Sequence, residues 1–469
     1  MNRKQIILIA GTILFLSGCT MIPKYTRPQS PVPATLPTGE AYKDDRSAHE
    51  GVLSAEGLKW QNVFPDEKLQ KVIEISLLCN RDLRLAALNV EQARALYGVQ
   101  RAELFPSVSA TGARSKQRAY VATTGKTMVV EQYSVDLGIT AWEVDFFGRI
   151  RSLKEQALQE YLSTEQAQRN AQNALISEVG RVYLTLAADR ENLKLAQSTL
   201  EAQQGVHDVI RLRYDHGVAT EIDLRRSKSQ VDKAKGDIAR YTQWVAQDEN
   251  ALNLLAGSPV PEELLPSDLT GVTPPKDISP GLSSDVLLRR PDILAAEHDL
   301  KAAYAFIGAA RAAFFPQISL TTAIGTASSE LSGLFKAGSS TWNFSPQTSM
   351  PIFDARTWAA YRVSKAAREI ALTQYEKTIQ VAFKEVADVL AVLGTVDDQL
   401  AAQEAVVDSA KKVYELSQQR YNQGIDGYLS VWDAQRSLYA AQQSLTYLHL
   451  SRLVHQVRLF AVLGGDGEL

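Results

Sequence analysis

The chain has 469 residues, of which 45% are apolar and 22% are charged, and its formal net charge is −3. Two cysteines are too few for a disulfide framework or a Cys₄ zinc site, and the nearly balanced charge gives no indication of nucleic-acid binding. Beyond residue 20 no window of 18 apolar residues occurs, so the sequence predicts no transmembrane helix in the mature protein.

The first nineteen residues have the features of a lipoprotein signal. Two basic residues precede an apolar run at 6–16, which is too short to span a bilayer but typical of a secretory signal. The run ends in Leu-Ser-Gly-Cys, which is similar to the lipobox of bacterial lipoproteins. We predict a signal peptide over residues 1–18 and an N-acyl and S-diacylglycerol lipid on Cys19, with Thr20 favouring the outer membrane. A plain signal peptide with an incidental cysteine is the alternative.

Proline placement divides the rest of the chain. Five prolines between residues 23 and 37 predict an extended tail within a lipidated N-terminal region at 19–64. Six prolines between residues 259 and 280 predict a linker over 258–285. The flanking stretches at 65–257 and 286–465 are predicted as two repeats, and 466–469 form the C-terminal end.

The two repeats are related in sequence. Gly98 and Phe105-Pro106 recur 210 residues later as Gly308 and Phe315-Pro316, and Arg213-Tyr214 recurs 207 residues later as Arg420-Tyr421. Separate motifs that recur after 207 to 210 residues predict a tandem duplication.

Each repeat predicts a helix, two strands and two long helices. In the first repeat a helix at 70–104 ends before Phe-Pro, and an alternating strand follows at 133–140 beyond a loop near 120–131. A proline-free helix at 151–215 is about 100 Å long. Gly217 ends it, and a further helix continues to residue 257.

The second repeat predicts the same order. A strand at 318–325 alternates apolar with polar or small residues and precedes a loop near 326–341. One uninterrupted helix is predicted at 357–422; Gly424 ends it, and another helix continues to residue 464. The strands have the length of a tilted transmembrane strand, although a soluble, half-buried sheet would show the same alternation.

Four strands are too few for a closed membrane barrel, and an open sheet edge cannot face lipid. If the strands cross a membrane, several chains must therefore combine; two would supply eight strands and three would supply twelve.

These features, with several local motifs, identify a family resemblance. The motifs are LSGC at 16–19, NRDLR at 80–84, AWEVDFFGR at 141–149, LRRPD at 288–292, IGAARAAFFP at 307–316, DAQRS at 433–437 and LGG at 463–465. The chain resembles the TolC family of outer-membrane efflux channels, in its lipoprotein, OprM-like branch, over nearly its whole length.

The resemblance implies a mixed α+β membrane channel in the outer membrane. It implies a homotrimer that closes a twelve-stranded barrel, with a periplasmic barrel of long coiled-coil helices. It also implies a periplasmic membrane-fusion adaptor and an inner-membrane, proton-driven efflux pump of the resistance–nodulation–division type as partners.

A gate at the periplasmic end is implied by position. The resemblance assigns Leu429, Asp433 and Arg436 to the helix that closes the channel, and Tyr421 and Asp223 to contacts that hold adjacent helices shut. Leu429 and Asp433 are four residues apart and share a helix face, so three copies would form an apolar ring and a carboxylate ring. An ordinary solvated pair is the alternative for Asp433 and Arg436.

Two positions depart from the pattern of TolC itself. Asp426 stands where TolC has a locking arginine, and Ser430 replaces a second pore aspartate, which leaves the partners of the lock open. The helix–turn tips, marked by Asp215, Gly217, Gly424 and Gly427, are the surfaces that we expect an adaptor to contact.

No catalytic motif occurs in the sequence. The six histidines are scattered without metal-ligand spacing, and no phosphate-binding loop or nucleophile elbow is present. We therefore expect no enzyme activity and no cofactor apart from the lipid, so the energy for transport must come from a partner. A lipid-anchored coiled-coil scaffold or adaptor without a pore is the rival hypothesis.

Overall fold

A computed structural model describes residues 20–42, 53–54, 58–123, 125–279, 281 and 283–465. The predicted signal peptide, Cys19 and the C-terminal end at 466–469 lie outside these residues. Within the described ranges, no helix is long and apolar enough to cross a membrane.

The long elements of the first repeat are α1 (Glu67–Cys79), α2 (Arg81–Ala102), β1 (Val108–Val121), β2 (Lys126–Val144), α3 (Arg149–Asp215) and α4 (Glu221–Ala256). Those of the second repeat are α5 (Pro291–Ala312), β3 (Gln317–Ser328), β4 (Ser340–Ser349), α6 (Ala355–Leu393), α7 (Val396–Asn422) and α8 (Tyr428–Val462). A short helix at Trp60–Val63 precedes them, and 3₁₀ turns lie at Glu40–Tyr42, Glu262–Leu264, Ser284–Arg289 and Leu331–Gly333. Leu53–Ser54 pairs in parallel with Ile278–Ser279.

The chain forms two compact units, and each takes segments from both repeats. The strand unit contains Asn89–Glu165, Ala295–Tyr375 and the described part of Met1–Pro28. The helical unit contains Gln29–Leu88, Gln166–Leu294 and Glu376–Leu469. The repeat is therefore a unit of sequence and not a unit of packing.

The strand unit is built on one antiparallel sheet in the order β1-β2-β3-β4. β2 and β3 join the two hairpins, with Leu137 opposite Ile324. A bulge between Ile139 and Trp142 places Ala141 at φ 53°, and the Ala141 amide donates to Thr321 Oγ1 at 3.1 Å. Within the described sheet, β1 and β4 each have only one neighbouring strand.

The two faces of this sheet differ in chemistry. Leu137, Ile324 and Trp342 are adjacent in register across β2, β3 and β4, and they are 51%, 65% and 77% exposed. The neighbouring row, on the opposite face, contains Asp136 and Gly325. Alternation places every second side chain on the same face, so one face is apolar and exposed while the other is polar or small.

Residues 20–28, which we call the N-terminal strap, lie against α5. The buried Glu297 carboxylate accepts from Tyr25 Oη at 3.2 Å and pairs with Arg27. At Gly308 an added Cβ would lie 2.6 Å from Ile22 Cγ1 and 2.7 Å from Ser152 Oγ, so only glycine fits under the strap. The strap is therefore an integral part of the strand unit.

The prediction of one helix over 70–104 is wrong, because the helix breaks at Asn80. This residue has φ −61° and ψ 131°, its amide oxygen accepts from the Leu83 N–H at 2.8 Å, and its Nδ2 donates to the Leu255 carbonyl at 2.9 Å. Asn80 thus ends α1, caps α2 and binds α4.

The prediction of one helix over 357–422 is also wrong. α6 ends at Leu393 and α7 begins at Val396, with Thr395 at φ −121° between them. The Thr395 hydroxyl donates to the Ala391 carbonyl at 3.0 Å. Leu393 and Val396 are both buried, so packing on each side fixes the break.

The strands are longer than predicted. β1 extends to Val121 and β2 begins at Lys126, so the predicted loop near 120–131 is mostly strand. The predicted strands at 133–140 and 318–325 and the uninterrupted helix at 151–215 are confirmed.

Candidate functional site

The tips of the two long helix pairs have the same backbone conformation, and both turns occur at the predicted glycines. α3 ends at Asp215 and α7 ends at Asn422, and Gly217 and Gly424 follow at φ 72° and 76°. These are left-handed conformations that glycine adopts without a Cβ clash. In each tip the residue after glycine donates to the carbonyl of the matching arginine, from Val218 to Arg213 at 2.8 Å and from Ile425 to Arg420 at 3.0 Å.

The second tip has an additional ion pair. Arg420 Nε and a terminal nitrogen donate to the two carboxylate oxygens of Asp426 at 2.6 and 3.1 Å. The hydrogen bond from Arg420 holds the pKa of Asp426 below its ordinary value. Asp426 therefore binds an arginine of its own tip and stabilises the turn between α7 and α8.

An apolar cluster joins the two tips within the helical unit. Ile210 of α3 packs with Tyr428 and Val431 of α8, and all three are buried. Partly buried neighbours complete the cluster: Val206, Ala219, Leu224, Tyr414, Tyr421 and Trp432. Burial raises the pKa of Tyr428 to about 12, and its hydroxyl has no hydrogen-bond partner among the described residues.

Tyr421 lies between residues of two other helices. Its ring meets the Tyr428 ring edge to face, with centroids 5.6 Å apart. The Arg213 guanidinium lies 4.9 Å from the Tyr421 ring centroid. Tyr421 thus ties α7 to both α3 and α8.

The predicted gate residues of α8 share one exposed face. Leu429 is 44% exposed, and Asp433 and Arg436 are about half exposed, while the intervening Val431 and Ala434 are buried. Arg436 lies 3.5 Å from the Asp433 carboxylate. The arrangement places an apolar side chain and a carboxylate one helical turn apart, and the described residues leave about half of each exposed.

Asp223 has a local structural role. It forms a capping box with Thr220: the Asp223 N–H donates to Thr220 Oγ1 at 3.2 Å, and the Thr220 N–H donates to Asp223 Oδ2 at 3.3 Å. Within the described residues no hydrogen bond joins Asp223 to Tyr421. The Thr-x-x-Asp pattern in the sequence is the signal that indicates this cap.

The predicted adaptor-contact residues lie at the exposed ends of these tips. Asp215, Gly217, Gly424 and Gly427 are all exposed. Each turn also exposes an apolar residue, Val218 at 76% and Ile425 at 57%.

Arg213 and Tyr428 are the tip residues that sequence reasoning missed. Arg213 had a signal, because it is the repeat counterpart of Arg420 but has Ala219 where its counterpart has Asp426. Tyr428 had none, because its burial depends on α3.

Comparisons with known proteins cover nearly the whole chain. The family model described as "Outer membrane efflux protein" matches residues 72–258 and 282–465. The antibiotic efflux pump outer membrane protein ArpC and the toluene efflux pump outer membrane protein TtgC, both of Pseudomonas putida, are each 44% identical over 465 residues, which is 98% of this chain and 96% of each relative. The crystal structure of the open state of the Neisseria gonorrhoeae MtrE outer membrane channel is similar with a TM-score of 0.85 and 36% identity, covering 96% of this chain and 99% of that one.

Proposed function

Because the chain belongs to the outer membrane efflux protein family, we propose that three copies of it form a gated, lipid-anchored exit duct that is served by a periplasmic adaptor and a proton-driven inner-membrane pump. Membership confirms the family resemblance, the mixed α+β channel fold and the role in efflux across the outer membrane. The trimer, the gate residues, the lipid and the named partners are the proposal.

The single observation that carries the proposal is the sheet of the strand unit. Its apolar row at Leu137, Ile324 and Trp342 is exposed, and its two outer strands each have an unused edge. Exposed backbone groups cost several kcal/mol each in hydrocarbon, so membrane insertion requires that β1 of one copy pair with β4 of another. Three copies supply twelve strands, enough to enclose a passage.

The alternation of the sheet gives this passage its polarity. If the apolar face contacts lipid, the face with Asp136 lines the interior, as expected of an aqueous duct.

The exposed face of α8 supports the gate. Three copies of Leu429 around a threefold axis would form an apolar constriction, and three Asp433 carboxylates would form a negative ring beside it. Such a ring favours cations, and an apolar ring favours closure by excluding water.

The exposed tips support the adaptor contact. Val218 and Ile425 are apolar residues at the turns, and an adaptor that covers them would remove their surface from water. The relatives ArpC and TtgC are named for antibiotic and toluene efflux, respectively. We infer that this chain conducts small organic molecules that its pump selects.

Planar-bilayer conductance of the purified protein tests the duct and gate together. We expect the wild type to conduct little, and Leu429→Ala and Asp433→Ala to give long-lived openings, with reduced cation selectivity in the second. Ile222→Ala is the matched control, because Ile222 is the repeat counterpart of Leu429 and is 62% exposed.

Each outcome decides one part of the proposal. Openings in the wild type that neither substitution changes would keep the duct and contradict the gate. Intact trimers without conductance in any variant would contradict the duct and favour the scaffold hypothesis. Monomers in detergent-extracted outer membranes would contradict the trimer. Absence of lipid on Cys19 by mass spectrometry would contradict the anchor.

A further inference from the structure

The two repeats use equivalent arginines for two different purposes. Arg213 and Arg420 occupy matching positions 207 residues apart, and the carbonyl of each accepts the same turn hydrogen bond. The guanidinium of Arg420 binds Asp426 in its own turn. The guanidinium of Arg213 instead lies over the ring of Tyr421, in the other repeat.

One sequence difference accounts for this contrast. The position equivalent to Asp426 in the first tip is Ala219, which has no carboxylate to hold the arginine in its own turn. Within the described residues, no carboxylate lies within ion-pair distance of Arg213. Its guanidinium therefore extends to the neighbouring tip.

The contact leads directly to the exposed face of α8. Arg213 stacks on Tyr421, the Tyr421 ring contacts Tyr428, and Tyr428 immediately precedes Leu429 in the first turn of α8. Tyr428 and its cluster partner Ile210 are almost fully buried, so a shift of the α3 tip must move Tyr428 or open the cluster.

We propose that the contact of Arg213 with Tyr421, the interrepeat latch, holds the first tip against α8 and keeps the channel closed. Arg213 is a positioning residue, because it acts on Leu429 through Tyr421 and Tyr428. The inference rests on the proposed gate, and it adds a residue of the first repeat to a closure that the sequence assigned mainly to the second.

The sharpest test restores the missing carboxylate. Ala219→Asp recreates the turn of the second tip, so its new side chain should bind Arg213 and withdraw it from Tyr421 without removing any group of the latch. Ala219→Asn is the matched control, since it has nearly the same shape but lacks the charge that holds arginine in a bidentate pair.

We expect Ala219→Asp and Arg213→Gln to raise the open probability in planar bilayers by about three- to thirtyfold, the range that corresponds to loss of one cation–π contact. Arg213→Lys, which retains a cation, should fall between these variants and the wild type. Ala219→Asn should remain close to the wild type. Trimer content after detergent extraction should be the same in all variants.

The outcomes separate this inference from the proposed function. If Leu429→Ala opens the channel while Ala219→Asp and Arg213→Gln do not, the gate stands and the latch is contradicted. If Ala219→Asn opens the channel as much as Ala219→Asp, side-chain size is responsible and the latch is again contradicted. If no variant opens the channel, Leu429→Ala included, the gate itself fails.

Discussion

The helices α2 and α5 are copies of one ancestral segment, yet they have opposite surroundings. Gly308 of α5 is covered by the strap and by Ser152, whereas among the described residues no atom outside the local helix lies within 4 Å of a Cβ added at Gly98 of α2. α2 exposes Leu96 and Val99 at 60% and 65%. Both copies keep the glycine, but among the described residues only the copy at Gly308 has neighbours packed against it.

The difference shows which described part of the chain has a surface that no neighbour in the same copy covers. α2 leads into β1, whose second edge has no partner strand in the described sheet, so the uncovered helix face and the unpaired strand edge belong to the same segment of chain. Both are explained if a second copy covers them, as the proposed trimer requires. Substituting leucine at each glycine is the most direct test of whether the two helices differ in what covers them.

The largest effect is expected from Gly308→Leu. Its Cβ would meet Ile22 Cγ1 at 2.6 Å and the Ile22 backbone nitrogen at 2.9 Å, so the strap must leave α5. We expect a loss of about 3 kcal/mol in the free energy of unfolding, at the upper end for an overpacked core. Urea unfolding in detergent measures it.

Gly98→Leu is the matched variant for this test. In the isolated chain it should raise the free energy of unfolding by about 0.5–1 kcal/mol, since leucine is a better helix former than glycine and meets no described neighbour. In the trimer it should impair assembly. Normal trimer yield from Gly98→Leu would contradict the idea that a second copy covers α2.

A smaller effect is expected from Glu297→Gln, which removes the carboxylate that holds the strap. Burial opposes ionisation of Glu297, but hydrogen bonds from Arg27 and Lys301 outweigh burial and lower its pKa. The free energy of unfolding should fall by about 1–2 kcal/mol, because the neutral amide replaces the charge-assisted hydrogen bonds from Arg27 and Lys301 with weaker ones. Trypsin should then cut after Lys24 faster than in the wild type, whereas the bond after Arg27 resists trypsin because Pro28 follows it.

The same carboxylate predicts a pH dependence of the strap. A carboxylate with a lowered pKa stabilises the fold above its ordinary pKa, and this stability is lost as the pH falls through the folded-state value. Strap cleavage by an acid-active protease should therefore rise below the ordinary glutamate range in the wild type and be nearly flat in Glu297→Gln. The exposed Glu103→Gln variant is the control.

Asp248 of the helical unit should show the opposite pH dependence to Glu297 of the strand unit, because its pKa is raised and that of Glu297 is lowered. Burial and the negative charge of Asp189 raise the pKa of Asp248 to about 7. An acid with a raised pKa favours the protonated fold, so stability should decline as the pH rises from about 4 to about 7. Asp248→Asn should raise the melting temperature at pH 8 and change it little at pH 5, whereas the exposed Asp208→Asn should change it little at either pH.

The smallest effects are expected at the turn glycines. Gly217→Ala and Gly424→Ala each place a Cβ at a positive φ, which costs about 1 kcal/mol, while Gly427→Ala at φ −75° should cost nothing by this mechanism. Thermal unfolding of the three variants compares them. A loss at Gly427 equal to that at Gly424 would show that glycine is needed there for another reason.

Local patterns in the sequence predicted much of this molecule. The turns at Gly217 and Gly424 follow from repeated glycines, and α3 follows from a long proline-free segment. The breaks at Asn80 and Thr395 were missed because both residues are tolerated inside helices. The bond from Asn80 to Leu255, 175 residues away, helps to fix the first break, and the burial of Leu393 and Val396 fixes the second.

In the candidate site, too, some features follow from local sequence and others depend on contacts between distant residues. The exposed face with Leu429, Asp433 and Arg436 follows from helix periodicity, and its role in closure stays a prediction. The position of Arg213 over Tyr421 connects residues more than 200 positions apart, so no local pattern contains it. The role of Asp223 as a cap was readable in Thr-x-x-Asp, but the family resemblance drew attention to a different role.

The strap has a consequence for depth in the membrane. Only Thr20 and Met21 separate Cys19 from Ile22, so a lipid on Cys19, if present, would be attached within about 10 Å of the contact with Gly308, even with the chain fully extended. Gly308 precedes the start of β3 at Gln317 by nine residues. A lipid on Cys19 would therefore do more than attach the chain to a membrane, because it would fix the height of the leaflet surface relative to the level where the strands begin.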